Sequence, residues 1–349
     1  MPFPQSKTLK KNHDLPQEGI LFCMARVADS ETLFVGSSDF KVYEIDLAAE
    51  NPAPTPLSGE GHESYVTGAA VASGQLVTGS YDGRLIWWNI EGRAQSFQVA
   101  AHDSWIRRVI ASPDGMFIVS VADDMKCKLW NARSGELVRT LSDHKPTTPH
   151  NYPSMLYAVA FSSDGRLLAT GDKVGHVAIW NVEDGEKLGE VETPVMYTWD
   201  PQQRRHSIGG IRSLAFSQSS DILAVGGIGK IGNIDHLGGP SRIETFDWKA
   251  GKRIHEISDS KFQGVIEQMV FSPADDWLLA VGGDHKGFVS FYEMTNGKLL
   301  HQVRAGDHVH AFAIRGDFSR IYTAHHKRIM SWDLQIAENE PEASTDPKS

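Results

Sequence analysis

His62, Thr78 and Asp82 place a base, a hydroxyl and an acid in one stretch of chain, and His102, Ser120 and Asp124 repeat the set. Such trios are the raw material of a base-activated nucleophile. Neither hydroxyl sits in the strand-to-helix elbow that would hold a nucleophile exposed. Gly227, Gly229 and Gly232 spell G-x-G-x-x-G after the strand-like run ILAVGG. Phosphate binding by that motif needs a helix opening at once, with its backbone N–H groups facing the anion. Here NIDHLGGPSRIETFDW follows, and Gly238, Gly239 and Pro240 break any helix, so a long loop between strands is expected. His308 and His310 are two apart and share one face of a strand, with His325 and His326 in the next turn. With His326 nearby, that pair could hold zinc or copper through imidazole nitrogens. The alternative is a set of surface and turn histidines.

Composition narrows the classes of function. The 349 residues carry 44 acids against 34 Lys and Arg, a net charge of −10, which argues against duplex nucleic acid as a partner. No apolar run reaches membrane-spanning length, and the basic start MPFPQSKTLKKNHD lacks the apolar core of a secretory signal. Cys23 and Cys127 are the two cysteines, too few for a disulfide framework, so a reducing, cytoplasmic setting is expected. No cofactor is implied.

The elements that position these residues recur along the chain. Alternating apolar segments end in Trp88-Asn89, Trp130-Asn131, Trp180-Asn181 and Trp332-Asp333, in the softer Phe246-Asp247 and Tyr292-Glu293, and in a degenerate Ile45-Asp46. Successive spacings are 43, 42, 50, 66, 46 and 40 residues, near the ~40–45-residue period of a four-stranded propeller blade. Between them run strands such as LVTGS, IVSVA and LLATG, separated by turns such as SPDG and SSDG. The pattern predicts an all-β, seven-bladed propeller of four antiparallel strands per blade over residues 6–334. The last repeat lacks a fourth strand, and residues about 6–12 resemble one, so the N-terminal strand should close the ring. The acidic stretch 335–349 reads as a disordered tail.

At this point the chain resembles the WD-repeat family. His62, Thr78, Asp82 and Trp88 match that family's His, Ser/Thr, Asp, Trp network in the second blade, as do His102, Ser120, Asp124 and Trp130 in the third. The resemblance implies that both trios are buried hydrogen-bond chains ending on an indole N–H rather than catalytic sets. The fourth blade keeps Thr170 and Trp180 but has Val174 at the Asp position, and Pro240, Lys286 and His326 stand there in blades five to seven, so the network is expected to be lost in those three. It further implies a rigid, non-enzymatic platform that docks other proteins.

Strand parity puts the fourth-to-first and second-to-third loops of every blade on one face. The longest insertions, 143–153, 193–207 and 226–241, all fall on it, and long loops on a rigid scaffold are where recognition resides. Met196, Tyr197, Trp199, Arg204, Arg205 and His206 form the middle loop, with Lys145, His150, Tyr152, Lys230 and His236 around it. Tyr65 and Trp105 face the same side. This set is expected to bind a protein or an acidic peptide segment, with the propeller itself monomeric; the competing reading folds Tyr197 and Trp199 back onto the propeller. A propeller with a histidine-lined metal or small-molecule site, possibly enzymatic, is the alternative.

Overall fold

The computed structural model describes residues 9–202, 206–232 and 238–334. Seven four-stranded antiparallel sheets are arranged as the blades of a propeller. In blade 2 the order from the axis outward is Val66–Ala72, Gln75–Ser80, Arg84–Asn89 and Ala94–Ala100. Each blade's first strand lies beside the first strands of its neighbours, so the seven inner strands form a closed ring about a central channel.

Closure is made where the sequence pattern places it. Leu9–Pro16 pairs antiparallel with Arg328–Leu334, from Leu9 opposite Leu334 to Pro16 opposite Arg328. The first and last elements of the chain thus share a sheet, which removes two open edges at once. Residues 6–8 and the stretch 335–349 expected to be a tail lie outside the described residues.

The repeated aromatic is what joins one blade to the last. Trp88 packs with Cys23, Phe34 and Val66 of blades 1 and 2. Trp130 packs with Leu85 and Trp87 across the next junction, and Trp180 with Val119 and Leu129 across the one after. Phe246, Tyr292 and Trp332 repeat the arrangement, and Ile45 takes the place beside Tyr322 where blade 7 meets blade 1. Truncating one such buried aromatic costs about 3–5 kcal/mol, which explains why the pattern survives even where the residue type drifts.

Candidate interaction face

The acid–base–hydroxyl trios are sealed inside the blades. His62 Nδ1 lies 3.0 Å from Asp82 Oδ2 and its Nε2 2.8 Å from Thr78 Oγ1, and Trp88 Nε1 donates to that hydroxyl at 2.8 Å. In blade 3 the His102–Asp124, His102–Ser120 and Trp130–Ser120 contacts are 3.0, 2.7 and 2.9 Å. Every donor then meets an acceptor: indole N–H to hydroxyl oxygen, hydroxyl to Nε2, and Nδ1–H to carboxylate. Burial raises the Asp82 pKa, but the His62 bond and the N–H groups of Glu63 and Arg84 outweigh it and hold the carboxylate ionised. Burial likewise pushes His102 down, keeping it neutral. Thr78 and Ser120 are fully buried and spent on the indole, so neither can attack a substrate.

Blade 4 completes its network in spite of Val174, and blade 7 corrects the expectation that blades five to seven lack one. In blade 4 the carboxylate is Asp172, not the residue at the Val174 position. His144 Nδ1 lies 3.0 Å from Asp172 Oδ2, His144 Nε2 2.8 Å from Thr170 Oγ1, and Trp180 Nε1 donates to Thr170 at 3.0 Å. The acid sits at the end of the second strand, two residues earlier, and its other oxygen accepts the N–H of Val174 and of His176. In blade 7 the imidazole comes from the strand itself: His325 Nε2 is 2.7 Å from Thr323 Oγ1, which accepts from Trp332 Nε1 at 3.0 Å. The carbonyl of Asp307 accepts from His325 Nδ1 at 3.3 Å in place of a carboxylate.

The glycine motif opens no helix. Ile222–Ile228 runs through a loop into the strand Pro240–Asp247. A Cβ on Gly227 would stand 2.5 Å from the carbonyl oxygen of Gly210, so the residue is there to let the neighbouring loop approach.

That neighbouring loop is itself a hairpin, Tyr197–Asp200 paired with His206–Gly209. Met196, expected to contact a partner, is instead fully buried in the core between blades 4 and 5, with Ile211 and Val225 beside it. An unbranched side chain entering the loop plugs the blade junction below it. Trp199 stacks on His150 at 4.2 Å and 9°, and lies 5.3 Å from Tyr152, so the first two insertions pack together. Tyr197 donates its hydroxyl proton to, or accepts from, His150 Nδ1 at 2.9 Å. Thr198 Oγ1 accepts the N–H of Ile231, tying in the third insertion. Trp199 is half-buried, whereas Lys145, His150, Tyr152, His206 and Lys230 are exposed. Arg204, Arg205 and His236 lie outside the described residues.

The mouth of the channel is built by a device that the sequence pattern does not display. In every inner strand the register slips by one near its start, leaving Phe22, Thr67, Arg107, Tyr157, Arg212, Glu267 and His310 as bulged positions. A bulge re-aims its side chain, and these seven follow one another around the opening. Arg107 lies 5.2 Å and Arg212 3.5 Å from the centre of the Tyr157 ring, and His310 lies 5.3 Å from Phe22. Arg107 grips Asp123 with two bonds of 2.7 and 2.6 Å and donates to Tyr81 Oη at 2.5 Å. Beside it Trp105 stacks on Tyr81 at 4.5 Å, and Tyr65 bridges Tyr81 to Phe22 and Phe40. Trp105 is 49% and Tyr65 41% exposed, a shelf of rings open to solvent.

Below the mouth, Arg108 reaches across the channel to the carbonyls of Arg212 and Glu267 at 3.3 and 2.8 Å. Burial works to raise the Glu267 pKa, but the His308 bond at 3.3 Å and the charge of Arg212 bring it down to about 2. His310 Nε2 lies 3.0 Å from His326 Nδ1, and burial brings the His310 pKa down to about 3. Among the described residues, the metal-capable trio with ligand atoms within 4.8 Å of one another is Asp143, His176 and Glu190. Lys187 Nζ already pairs with Asp143 and Glu190 there, each at 2.5 Å.

These blades and their networks define a class, and comparison with known proteins agrees. Residues 55–89, 94–131 and 135–181 match the WD40 family, described as WD domain, G-beta repeat. Those three stretches match WD40 repeats, and they lie within a propeller of seven four-stranded blades. It is 24% identical over 253 residues to telomerase protein component 1 of Mus musculus, covering 72% of this chain and 8% of that protein. It is 26% identical over 175 residues to the LST8 homolog of Drosophila melanogaster, 49% of this chain and 55% of the relative. Eukaryotic translation initiation factor 3 subunit I of Candida albicans is 25% identical over 214 residues, 60% and 53% of the two chains. The chain thus spans less than a tenth of the telomerase component and about half of the other two.

Proposed function

We propose that this propeller is a non-catalytic, monomeric docking platform for another protein, held on the face that carries the channel mouth and the 143–153, 193–207 and 226–241 loops. The observation that carries the reading is the open shelf of Tyr65, Tyr81 and Trp105 beside the ring of bulged side chains. Aromatic and Arg side chains of this kind dominate the energetics of protein interfaces. Two of the relatives are by name a component and a subunit, which supports a life in assemblies. The sealed hydroxyls of the His–Asp networks support the absence of chemistry. Cys23 and Cys127 are both free and buried, in keeping with a cytoplasmic setting.

The test is a quantitative pull-down comparing the wild-type protein with Tyr65→Ala/Trp105→Ala and with Trp199→Ala. Both sites are at the surface, so folding is preserved. A discrete partner lost only in the first variant places binding on the shelf; one lost only in the second moves it to the hairpin. A partner retained by both sinks this face.

A further inference from the structure

The mouth carries more cations than its own carboxylates neutralise. Arg107 is matched by Asp123, Glu267 is engaged by His308, and Arg108 rests on two backbone carbonyls. Lys173 and Arg212 form no direct ion pair among the described residues, although Arg212 acts on Glu267 and Asp123 on Lys173 through their charges. Arg212 lies flat on Tyr157 with its Nη1 buried and lacking an acceptor. Lys173, in the second-to-third-strand turn of blade 4, is only 4% exposed, and it feels the charges of Tyr157, Arg212, Asp123 and Arg107 around it. Burial pushes its ammonium group down in pKa, and the more distant charge of Asp123 does not offset it. Keeping two such groups desolvated is costly unless an anion completes the site.

Building on the docking-platform reading, we infer that Lys173, Arg212 and Tyr157 form a subsite for one carboxylate of an acidic segment in the partner protein, with an apolar neighbour of that carboxylate lying on the Trp105–Tyr81 shelf. The chain as a whole is strongly acidic, so long-range attraction does not favour such a segment. Recognition must therefore act at short range, within roughly 8 Å, the screening length at physiological salt. A carboxylate suits it better than a phosphoryl group. Phosphate recognition uses free, two-pronged guanidinium edges, but Asp123 occupies that edge of Arg107 and Arg212 is stacked on Tyr157. What is left is one ammonium and one partly available guanidinium, a donor for each oxygen of a single carboxylate.

The test uses the full chain and three dye-labelled dodecapeptide pools with fixed centres Leu-Glu-Phe, Leu-Gln-Phe and Leu-phosphoSer-Phe, read by fluorescence polarisation. Wild type is expected to bind the Glu pool at least tenfold more tightly than the Gln pool. Lys173→Met and Arg212→Gln should each erase that difference, and Lys173→Arg should keep it. In the absence of peptide, Lys173→Met should raise Tm, because a desolvated charge has been removed. Equal binding of Glu and Gln pools overturns the subsite, as does a preference for phosphoserine over Glu. A fall in Tm for Lys173→Met with discrimination intact makes the lysine structural and also overturns it. The platform reading is separable: it fails when Tyr65→Ala/Trp105→Ala leaves binding of every pool unchanged, whatever the charge variants do.

Discussion

Blades 2, 3, 4 and 7 lock the turn between their second and third strands with a His–hydroxyl–Trp chain, whereas blade 5 opens the same turn into a long loop. Its aromatic is Phe246, which has no N–H to satisfy, and the loop is anchored instead by Ile228 and Ile231 packed on Val265. Both solutions leave the blade junction intact, because Trp180 and Phe246 fill equivalent apolar seats. The comparison teaches that the polar chain serves the loop rather than the sheet. Where it is present the turn is short and fixed; in blade 5, where it is absent, the turn lengthens on the face proposed for docking, while blades 1 and 6 keep short turns without it.

The sharpest way to break this comparison is to remove the acid from a network. Asp172→Ala leaves the buried Nδ1–H of His144 without an acceptor, and about 1–3 kcal/mol of stability should be lost in chemical denaturation. Val174→Ala, at the position the repeat spacing assigns to the acid, should cost less than about 1.5 kcal/mol. Equal effects would mean that Asp172 does not complete the chain.

Acid titration should separate blade 7 from the others. Burial lowers the His325 pKa from 6.5 to about 4. Its neutral form is the folded one, so its contribution is full above about pH 6.5 and is lost as the pH falls through about 4. At about 1.4 kcal/mol per unit, the loss approaches ~3 kcal/mol. Asp124, held below its ordinary carboxylate value by His102 in spite of burial, loses its contribution at lower pH. Urea midpoints across pH 7 to 4 should therefore fall in wild type and fall less in His325→Gln.

The glycine motif offers a smaller effect. Gly227→Ala forces a methyl against the Gly210 carbonyl and should cost about 1–3 kcal/mol, while Gly232→Ala meets nothing within 4 Å and should be nearly neutral. A phosphate loop would suffer at both positions. Smallest of all, Trp199→Ala removes the stack on His150 and should lower stability by about 0.5–1.5 kcal/mol, read as a shift in Tm.

The sequence by itself determined the number of blades, the strand that closes the ring and two complete networks. Those features are local: strand alternation, Gly and Asp turns and a recurring aromatic are legible in any short window. Tyr65 and Trp105 were legible too, because they recur at one position of the repeat. The tertiary structure alone decided the rest. Asp172 stands two residues from the spacing of blades 2 and 3, and only the folded direction of its side chain shows that it reaches His144. Met196 reads as a loop residue until the blade junction closes over it. Arg107, Tyr157, Arg212 and Glu267 each look like an ordinary polar or aromatic member of an inner strand. A one-residue bulge turns all of them to the mouth, and which cation is left without an anion depends on charges that several different blades bring together. Periodicity carries no information about such sums, because they form between residues far apart in the chain.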